Sequence, residues 1–399
     1  MKLCAITAEY NPFHNGHKYH MEETGRITDC DYLIAIMSGD FTQRGEAAIF
    51  NKYERAKAAL TAGFDLVLEL PAVYATSSAD RFALGSISLI NKLNCVDYIS
   101  FGSESADINL LNDICQYQLS EQHTKSESLK QSLKQGTSYR NASALSNTSL
   151  ASNDILGVSY LKALALTSSN ITPVVIKREG GNYYSDAPET LSALSIRQQL
   201  LSDSSIDILS DKITCDILSY YKEILKSHRP VCNNDISAAV YQTLSDKLYA
   251  GIDLSQYYDV SETIKGKITA HLCDFSTYDE FTDLLLTKDV IASRIRRALL
   301  HILFNIKKDD IEQYDQNGYT GYARILGFKE SSKELLSLIK SKTDIPLIAK
   351  CADARKLLDD TSYKMFKTDM YVADMYEHVI RKQTGKIKPD IAVSPVILS

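Results

Sequence analysis

The first 205 residues alternate short apolar runs with amphipathic stretches, and few folds accept that rhythm. "LCAITAEY", "YLIAIMSG", "DLVLELP", "DYISFGSE" and "TPVVIKR" are near-continuous apolar runs of strand length. Strands of a parallel sheet read this way because helices cover both of its faces. Between them, "HKYHMEETGRI", "KYERAKAALTAG", "ADRFALGSISLINKL" and "DILGVSYLKALALTS" carry helical spacing. The alternation predicts an α/β domain with a doubly wound parallel sheet over residues 1–204. Gln116 to Leu150 is rich in Ser, Gln, Thr and Asn and reads as a surface insertion. After about residue 205 the strand signals fade, while "CDILSYYKEILKS", "ISAAVYQTLSDKLYAG" and "ASRIRRALLHILFNI" have helical spacing. A mostly α-helical second domain is therefore expected over 205–399. Near its end, "YKMFKTDMYVADMYEHVIRKQ" looks helical and "DIAVSPVIL" extended.

A chain of 399 residues has room for two or three domains and a sizeable core. Its formal net charge of -6 gives no global affinity for nucleic acid, so an RNA contact needs a local basic patch. Eight scattered cysteines include no C-x-x-C pair, which argues against zinc knuckles and redox motifs. They are expected to be reduced and mostly buried, in a cytoplasmic protein. The opening lacks the long apolar core of a signal peptide, and no stretch approaches the ~20 apolar residues of a membrane span.

Doubly wound sheets bind ligands beyond the carboxyl ends of their strands. "EYNPFHNGH", Glu9 to His17, closes the first apolar run and leads into a helix. A helix start offers free backbone N–H groups and the positive end of a dipole, which together favour phosphate. Gly16 lets a ligand approach the backbone, and His14 and His17 can donate hydrogen bonds to phosphate oxygens. The chemistry this suits is attack at the α-phosphate of a nucleotide, with pyrophosphate leaving. Such a reaction needs alignment and charge stabilisation more than a covalent nucleophile. Two other readings stand beside it: a structural or solvated histidine pair, and a zinc site completed from elsewhere in the chain. No resident metal is expected.

The motif resembles the H-x-G-H signature of the nucleotidylyltransferase superfamily, which includes class I aminoacyl-tRNA synthetases and pantetheine-phosphate adenylyltransferase. A second superfamily element, a Ser/Thr-rich helix start ending in Ile-Arg, is matched by "LSALSIR", with Ser192, Ser195 and Arg197. Leu194 stands where the usual form has threonine, which removes one hydroxyl donor. In chain order, "AEYNPFHNGHKYH", "MSGDFTQRGEAAIFNKYERAKAAL", "GFDLVLELP", "FGSE", "NDILGVSYLKAL", "SRIRRALLHILFNI" and "YARILGF" are together similar to the tRNA(Met) cytidine acetate ligase family. The likeness covers most of the chain. Ala47 departs from the family's usual proline, and Tyr184 in "REGGNYYSD" from an expected histidine.

The resemblance implies a nucleotidylyltransferase-like Rossmann domain that activates acetate with ATP, with Mg²⁺ accompanying the nucleotide. Acetyl-adenylate and pyrophosphate form. The N4 amine of the wobble cytidine of elongator tRNA(Met) then attacks the acetyl carbon, giving N4-acetylcytidine and AMP. The partners implied are tRNA(Met) and acetate, with no DNA and no membrane. The family pattern implies that Thr7, Ala8, Glu9, Tyr10, Asn11, Pro12, Phe13, His14, Asn15, Gly16, His17, Lys18, Tyr19 and His20 wrap the ATP. Gly102, Asn153 and Arg178 are further ATP contacts, with Arg197 beside them. Asn153 also reads as a helix N-cap, and Arg178 as a surface arginine. "SGDFTQRGE" follows strand two on the same edge. Its Asp40, Gln43 and Arg44 are expected in the catalytic set, arranging acetate, the amine or the magnesium-bound pyrophosphate. The plain alternative is a structural loop in which Arg44 pairs with Glu46.

For RNA, "SRIRRALLHILFNIKK" is the best patch. As one helix over 293–308 it sets Ile295, Leu299, Ile302 and Ile306 on an apolar face, with Arg294, Arg297, His301 and Lys308 opposite. Arg294, Arg297 and Lys308 are the expected RNA contacts, against the alternative of a solvated helix face. Two further functions compete. An adenylyltransferase acting on a small phosphorylated substrate would leave the helical half unexplained. A nucleotide-sensing RNA-binding protein without turnover fits poorly with both histidines being present.

Overall fold

The computed structural model describes residues 1–126, 150–178, 193–202, 206–385 and 388–399. Five strands come from the first half: β1 (Leu3–Ala8), β2 (Tyr32–Ser38), β3 (Leu66–Leu70), β4 (Tyr98–Ser103) and β5 (Thr172–Lys177). They pair in parallel in the order β5-β4-β1-β2-β3. Between them lie α1 (Asn15–Thr28), α2 (Lys52–Ala62), α3 (Ala79–Lys92), α4 (Ile108–Ser126) and α5 (Ser152–Leu166). The apolar runs are continuous because both faces are covered: Ile34, Ile36, Val67, Leu68 and Ile99 are wholly buried. From β1 the chain steps outward to β2 and β3, then returns to lay β4 on the other side of β1. That reversal is a topological switch point, and it opens a crevice beyond the carboxyl ends of β1 and β4. Of the stretch 116–150, residues to Ser126 continue α4, and 127–149 lie outside the described residues. Tyr184 and Ser192 lie outside them too.

The second half is mostly helical. It contributes α6 (Ala193–Leu201), α7 (Cys215–Ser227), α8 (Ser237–Tyr249), α9 (Glu262–His271), α10 (Tyr278–Leu284), α11 (Ala292–Leu303) and α12 (Lys308–Gln316). It also returns to the sheet, which its fading strand signals did not predict. β6 (Ala323–Lys329) pairs antiparallel with β3. Its far edge carries β7 (Leu347–Ile348) and β8 (Val396–Leu398); in sequence α13 (Lys333–Lys342) lies between β6 and β7, and α14 (Asp360–Thr384) between β7 and β8. The sheet thus continues past the boundary expected at 204/205.

An ionic cluster fastens this join. Lys52 Nζ lies 2.9 Å from Glu69 Oε1 and 3.2 Å from Asp390 Oδ2. Arg324 reaches the same two carboxylates at 3.1 and 2.8 Å, and the Tyr53 hydroxyl donates to Asp390 Oδ1 at 2.9 Å. All four charged residues are at most 3% exposed. Charges so deep are tolerated only when each finds its partners, so the cluster admits few other arrangements of α2, β3, β6 and the C-terminal turn.

Candidate active site

The crevice between β1 and β4 holds a cavity of about 270 Å³. Of Thr7 to His20, all but Pro12, Phe13, Asn15 and Lys18 line it. Phe13 sits in the core, where its N–H donates to the Tyr221 hydroxyl at 3.0 Å, and Lys18 pairs along the helix with Glu22. The Asn15 amide turns away to the Asp211 carbonyl, and Pro12 is buried. These four side chains are therefore not in the wall expected to wrap a nucleotide.

His14 is the N-cap of α1. Its Nδ1 accepts the Gly16 N–H at 3.0 Å, and the His14 N–H in turn donates to His17 Nδ1 at 3.3 Å. This is a capping box built from two imidazoles. With each Nδ1 accepting, the ring proton of each histidine sits on Nε2, the edge left for a ligand. The rings lie 3.9 Å apart, and Tyr10 and Phe13 pack on His17 at 5.0 and 5.5 Å. Burial, then Arg178 and Arg197, pulls His14 down to about 3. Burial, then His14, holds His17 well below the usual range. Both rings are neutral Nε2–H donors near pH 7. The free N–H groups expected at the helix start are absent: Asn15 N–H donates to the Lys212 carbonyl, Gly16 N–H to His14 Nδ1, and His17 and Lys18 N–H to the His14 carbonyl. An anion here meets imidazole and guanidinium donors instead.

The β4 side supplies the opposite wall. Gly102 lies against the Arg178 stem, and a Cβ there would stand 3.1 Å from Arg178 Cγ. Asn153 is not an N-cap; α5 is capped at Ala151. The Asn153 side-chain carbonyl instead accepts from Arg178 Nη1 at 3.2 Å, while its amide donates to Glu104 at 2.5 Å. His20 is anchored by a chain of hydroxyls. Thr24 Oγ1 donates to the His20 carbonyl at 2.8 Å, so it accepts from Ser100 Oγ at 2.7 Å, which leaves Ser100 to accept from His20 Nε2 at 3.0 Å. Burial, then Arg178, holds His20 at about 4. Tyr160, Phe101 and Phe82 were not singled out from sequence. They form the apolar side of the cavity, and the Tyr160 hydroxyl bonds Thr7 Oγ1.

The loop after β2 gives Gln43 and Arg44 to the cavity but not Asp40. Asp40 Oδ1 accepts the Lys52 N–H at 2.7 Å, and its Oδ2 faces Lys52 Nζ at 4.0 Å within the ionic cluster. Its carboxylate is committed to holding the start of α2, which replaces the expected catalytic role. The Gln43 N–H donates to Glu9 Oε1 at 2.8 Å, tying this loop to the one after β1. Arg55, wholly buried, completes the tie by donating to the carbonyls of Glu9 at 2.6 Å and Ser38 at 3.1 Å, and to Gly39. Sequence gave one signal for it: an arginine on the face of α2 where Ala56, Ala59 and Leu60 are buried. Ala47, the departure from proline, donates its N–H to Asn233 Oδ1 at 3.1 Å, a bond proline cannot make.

Arg197 stands in the cavity wall and donates to the Asn11 carbonyl at 2.9 Å. Glu46 joins it to α11, lying 3.4 Å from Arg197 and 2.8 Å from Arg296. Gly45, at φ 74°, lets the backbone of α11 close on the loop; a Cβ there would stand 2.6 Å from Arg296 Cβ. The helix expected over 293–308 is two. The chain turns at Asn305, φ 58°, and Lys308 begins α12. His301 is wholly buried, bonding the Thr76 hydroxyl and the Tyr258 carbonyl, so it does not belong to a basic face. Arg297 pairs with Asp259 at 2.9 Å, while Arg294 and Lys308 are exposed.

The HIGH Nucleotidyl Transferase family matches this chain over residues 1–389. The tRNA(Met) cytidine acetate ligase of Thermoanaerobacter sp. (strain X514) is 39% identical over 390 residues, covering 94% of this chain and 95% of that protein. The protein of the same description from Clostridium kluyveri is 35% identical over 100% of this chain and 99% of its own. Among solved structures, apo Thermotoga maritima TmcAL superposes with a TM-score of 0.88 at 30% identity, covering both chains fully. The same protein bound with alpha-thio ATP gives 0.86 at 29% identity, again with full coverage of both.

Proposed function

Since this chain belongs to the HIGH nucleotidyl transferase family and, within it, to the tRNA(Met) cytidine acetate ligases, we propose that its cavity joins acetate to ATP and passes the acetyl group to N4 of the wobble cytidine of elongator tRNA(Met). An acetate oxygen attacks the α-phosphorus, the bond to the β-phosphate breaks, and pyrophosphate leaves. The amine then attacks the acetyl carbon and AMP leaves, giving N4-acetylcytidine. The observation that carries the reading is the paired capping of α1 by His14 and His17, which spends both Nδ1 atoms on the backbone and leaves two fixed Nε2–H donors. Neutral donors aimed in advance at developing phosphate charge lower the barrier without reorganising. Arg178 and Arg197, in the cavity wall, hold the phosphates, and Gln43 and Arg44, which line the same cavity from the loop after β2, arrange the acetate, the amine or the pyrophosphate.

Mg²⁺ enters with the nucleotide; among the described residues no group of three or more His, Cys, Asp and Glu is placed to hold a metal ion. Residues 1–204 hold ATP, and 205–399 present the RNA surface, with Arg294 and Lys308 exposed at α11 and α12. The nucleic acid is tRNA rather than DNA. No described helix is long and apolar enough to cross a membrane, and the reaction is assigned to the cytoplasm, where ATP, acetate and tRNA meet. The test follows labelled acetate into tRNA(Met) in the presence of ATP, with acetyl-CoA as a competing donor. Label in N4-acetylcytidine from acetate and ATP alone is the expected result. Label from acetyl-CoA only, or AMP on a small phosphorylated acceptor, would refute the ligase reading.

A further inference from the structure

We infer that Glu9 is the general base of acetyl transfer, taking the proton that the cytidine N4 amine sheds as it bonds to the acetyl carbon. The inference rests on the ligase reading above. An exocyclic cytosine amine is a weak nucleophile because its lone pair is delocalised into the ring. As that pair forms the C–N bond, the carbonyl π pair moves to oxygen. It returns as the bond to the adenylate oxygen breaks, and the broken bond's electrons leave with AMP. The nitrogen must lose one proton, which passes to Glu9 and then to water.

Among the described residues that line the cavity, Glu9 supplies the only carboxylate. The other candidates are committed elsewhere. His14 and His17 accept backbone N–H groups on Nδ1 and carry their protons on Nε2. His20 is tied to Ser100 on β4, away from the loop that bears Gln43 and Arg44, and burial leaves it a poor base. Burial pushes the Tyr10 and Tyr160 phenols further above neutrality, so they keep their protons. Asp40 is held by Lys52, and Glu46 by Arg197 and Arg296.

Glu9 is built for one free oxygen. Arg55 fixes its backbone carbonyl, and Oε1 accepts the Gln43 N–H at 2.8 Å. Oε2 accepts no hydrogen bond from a described residue. The carboxylate thus sits where the two site loops meet, oriented by one oxygen and presenting the other. Burial raises it above the ordinary carboxylate range against the pull of the Gln43 N–H, Arg44 and Arg197, and Glu46 adds to the rise. Tyr160 and Arg55 are the other ionisable groups that face it. A carboxylate moved toward neutrality is the better proton acceptor at working pH.

The test separates the two half-reactions. Glu9→Gln keeps the size of the side chain and its acceptor for the Gln43 N–H. With tRNA(Met) added to enzyme preloaded with ATP and labelled acetate, single-turnover transfer by this variant is expected to fall about 10²–10⁴-fold. Acetate-dependent ATP–pyrophosphate exchange should fall at least about tenfold less than transfer does. Glu9→Asp, which keeps a carboxylate set back by one methylene, should recover part of the transfer. Hydroxylamine, a nucleophile strong enough to need no base, should capture the acetyl group in Glu9→Gln with a loss no larger than the variant's loss in exchange. Equal losses in exchange and transfer, or transfer by Glu9→Gln within about threefold of wild type, overturn the inference and leave the ligase reading standing. A wild-type enzyme that moves no acetate to tRNA overturns the ligase reading, and this inference with it.

Discussion

His14 and His17 do two things with one ring each: Nδ1 closes the start of α1, and the ring, its proton left on Nε2, lines the cavity. Burial keeps both rings uncharged near neutrality, so they add no imidazolium to the cavity wall that would need a counterion. Their donors strengthen as charge grows on the phosphate, which is a transition-state effect rather than a ground-state one. His14→Ala and His17→Ala should therefore each slow acetate-dependent ATP–pyrophosphate exchange on the order of 10²–10³-fold. Binding of a non-hydrolysable ATP analogue should weaken far less, and calorimetric titration beside the exchange assay reads both. Exchange at the wild-type rate in both folded variants would remove the histidines from the chemistry.

α11 shows how packing edits a charge pattern. Its basic residues share one sequence motif but not one environment. Arg296 binds Glu46 and Asp279, Arg297 binds Asp259, and Arg294 is exposed. Only an accessible guanidinium can release counterions from RNA by meeting a phosphate. Arg294→Glu should weaken tRNA(Met) binding and lower the slope of log affinity against log salt by about one, with ATP affinity unchanged. Arg297→Glu should act mainly on stability, because it sets a second carboxylate beside Asp259. Filter binding across a salt series, with a melting curve for each variant, distinguishes them. An unaltered slope for Arg294→Glu would place the RNA surface elsewhere.

The whole molecule is held by a sheet that neither half completes alone. β6 extends β3, and Asp390, from the last turn before β8, neutralises Lys52 and Arg324 inside. Removing one partner of a buried pair leaves a charge with neither water nor counterion. Asp390→Ala should cost about 3–5 kcal/mol, far more than a surface change. Because the cluster spans both halves, fluorescence and circular dichroism should report one shared urea transition, moved to lower urea. A loss below about 1 kcal/mol, or an early transition confined to the second half, would show that the cluster is not what joins them.

Local pattern determined the five parallel strands, the crevice beyond β1 and the two histidines at a helix start. Each is written in adjacent residues: apolar runs set by burial on both faces, and a short motif whose caps close within three positions. β6 was not legible, because "ARILGF" is a lone short run among helical spacing and its partner, β3, lies some 250 residues earlier in the sequence. Asp40 was misread for a related reason. Its position beside Gln43 and Arg44 says nothing of Lys52, which the start of α2 carries back against it. Arg55 was passed over, and Glu46 was considered only as a partner for Arg44 within its own loop, because the partners the two residues take come from separate elements. Which carboxylates, arginines and histidines face the cavity, and which are consumed in holding it, follows from long-range pairing of buried charges. That pairing exists only once the sheet has closed across both halves of the chain.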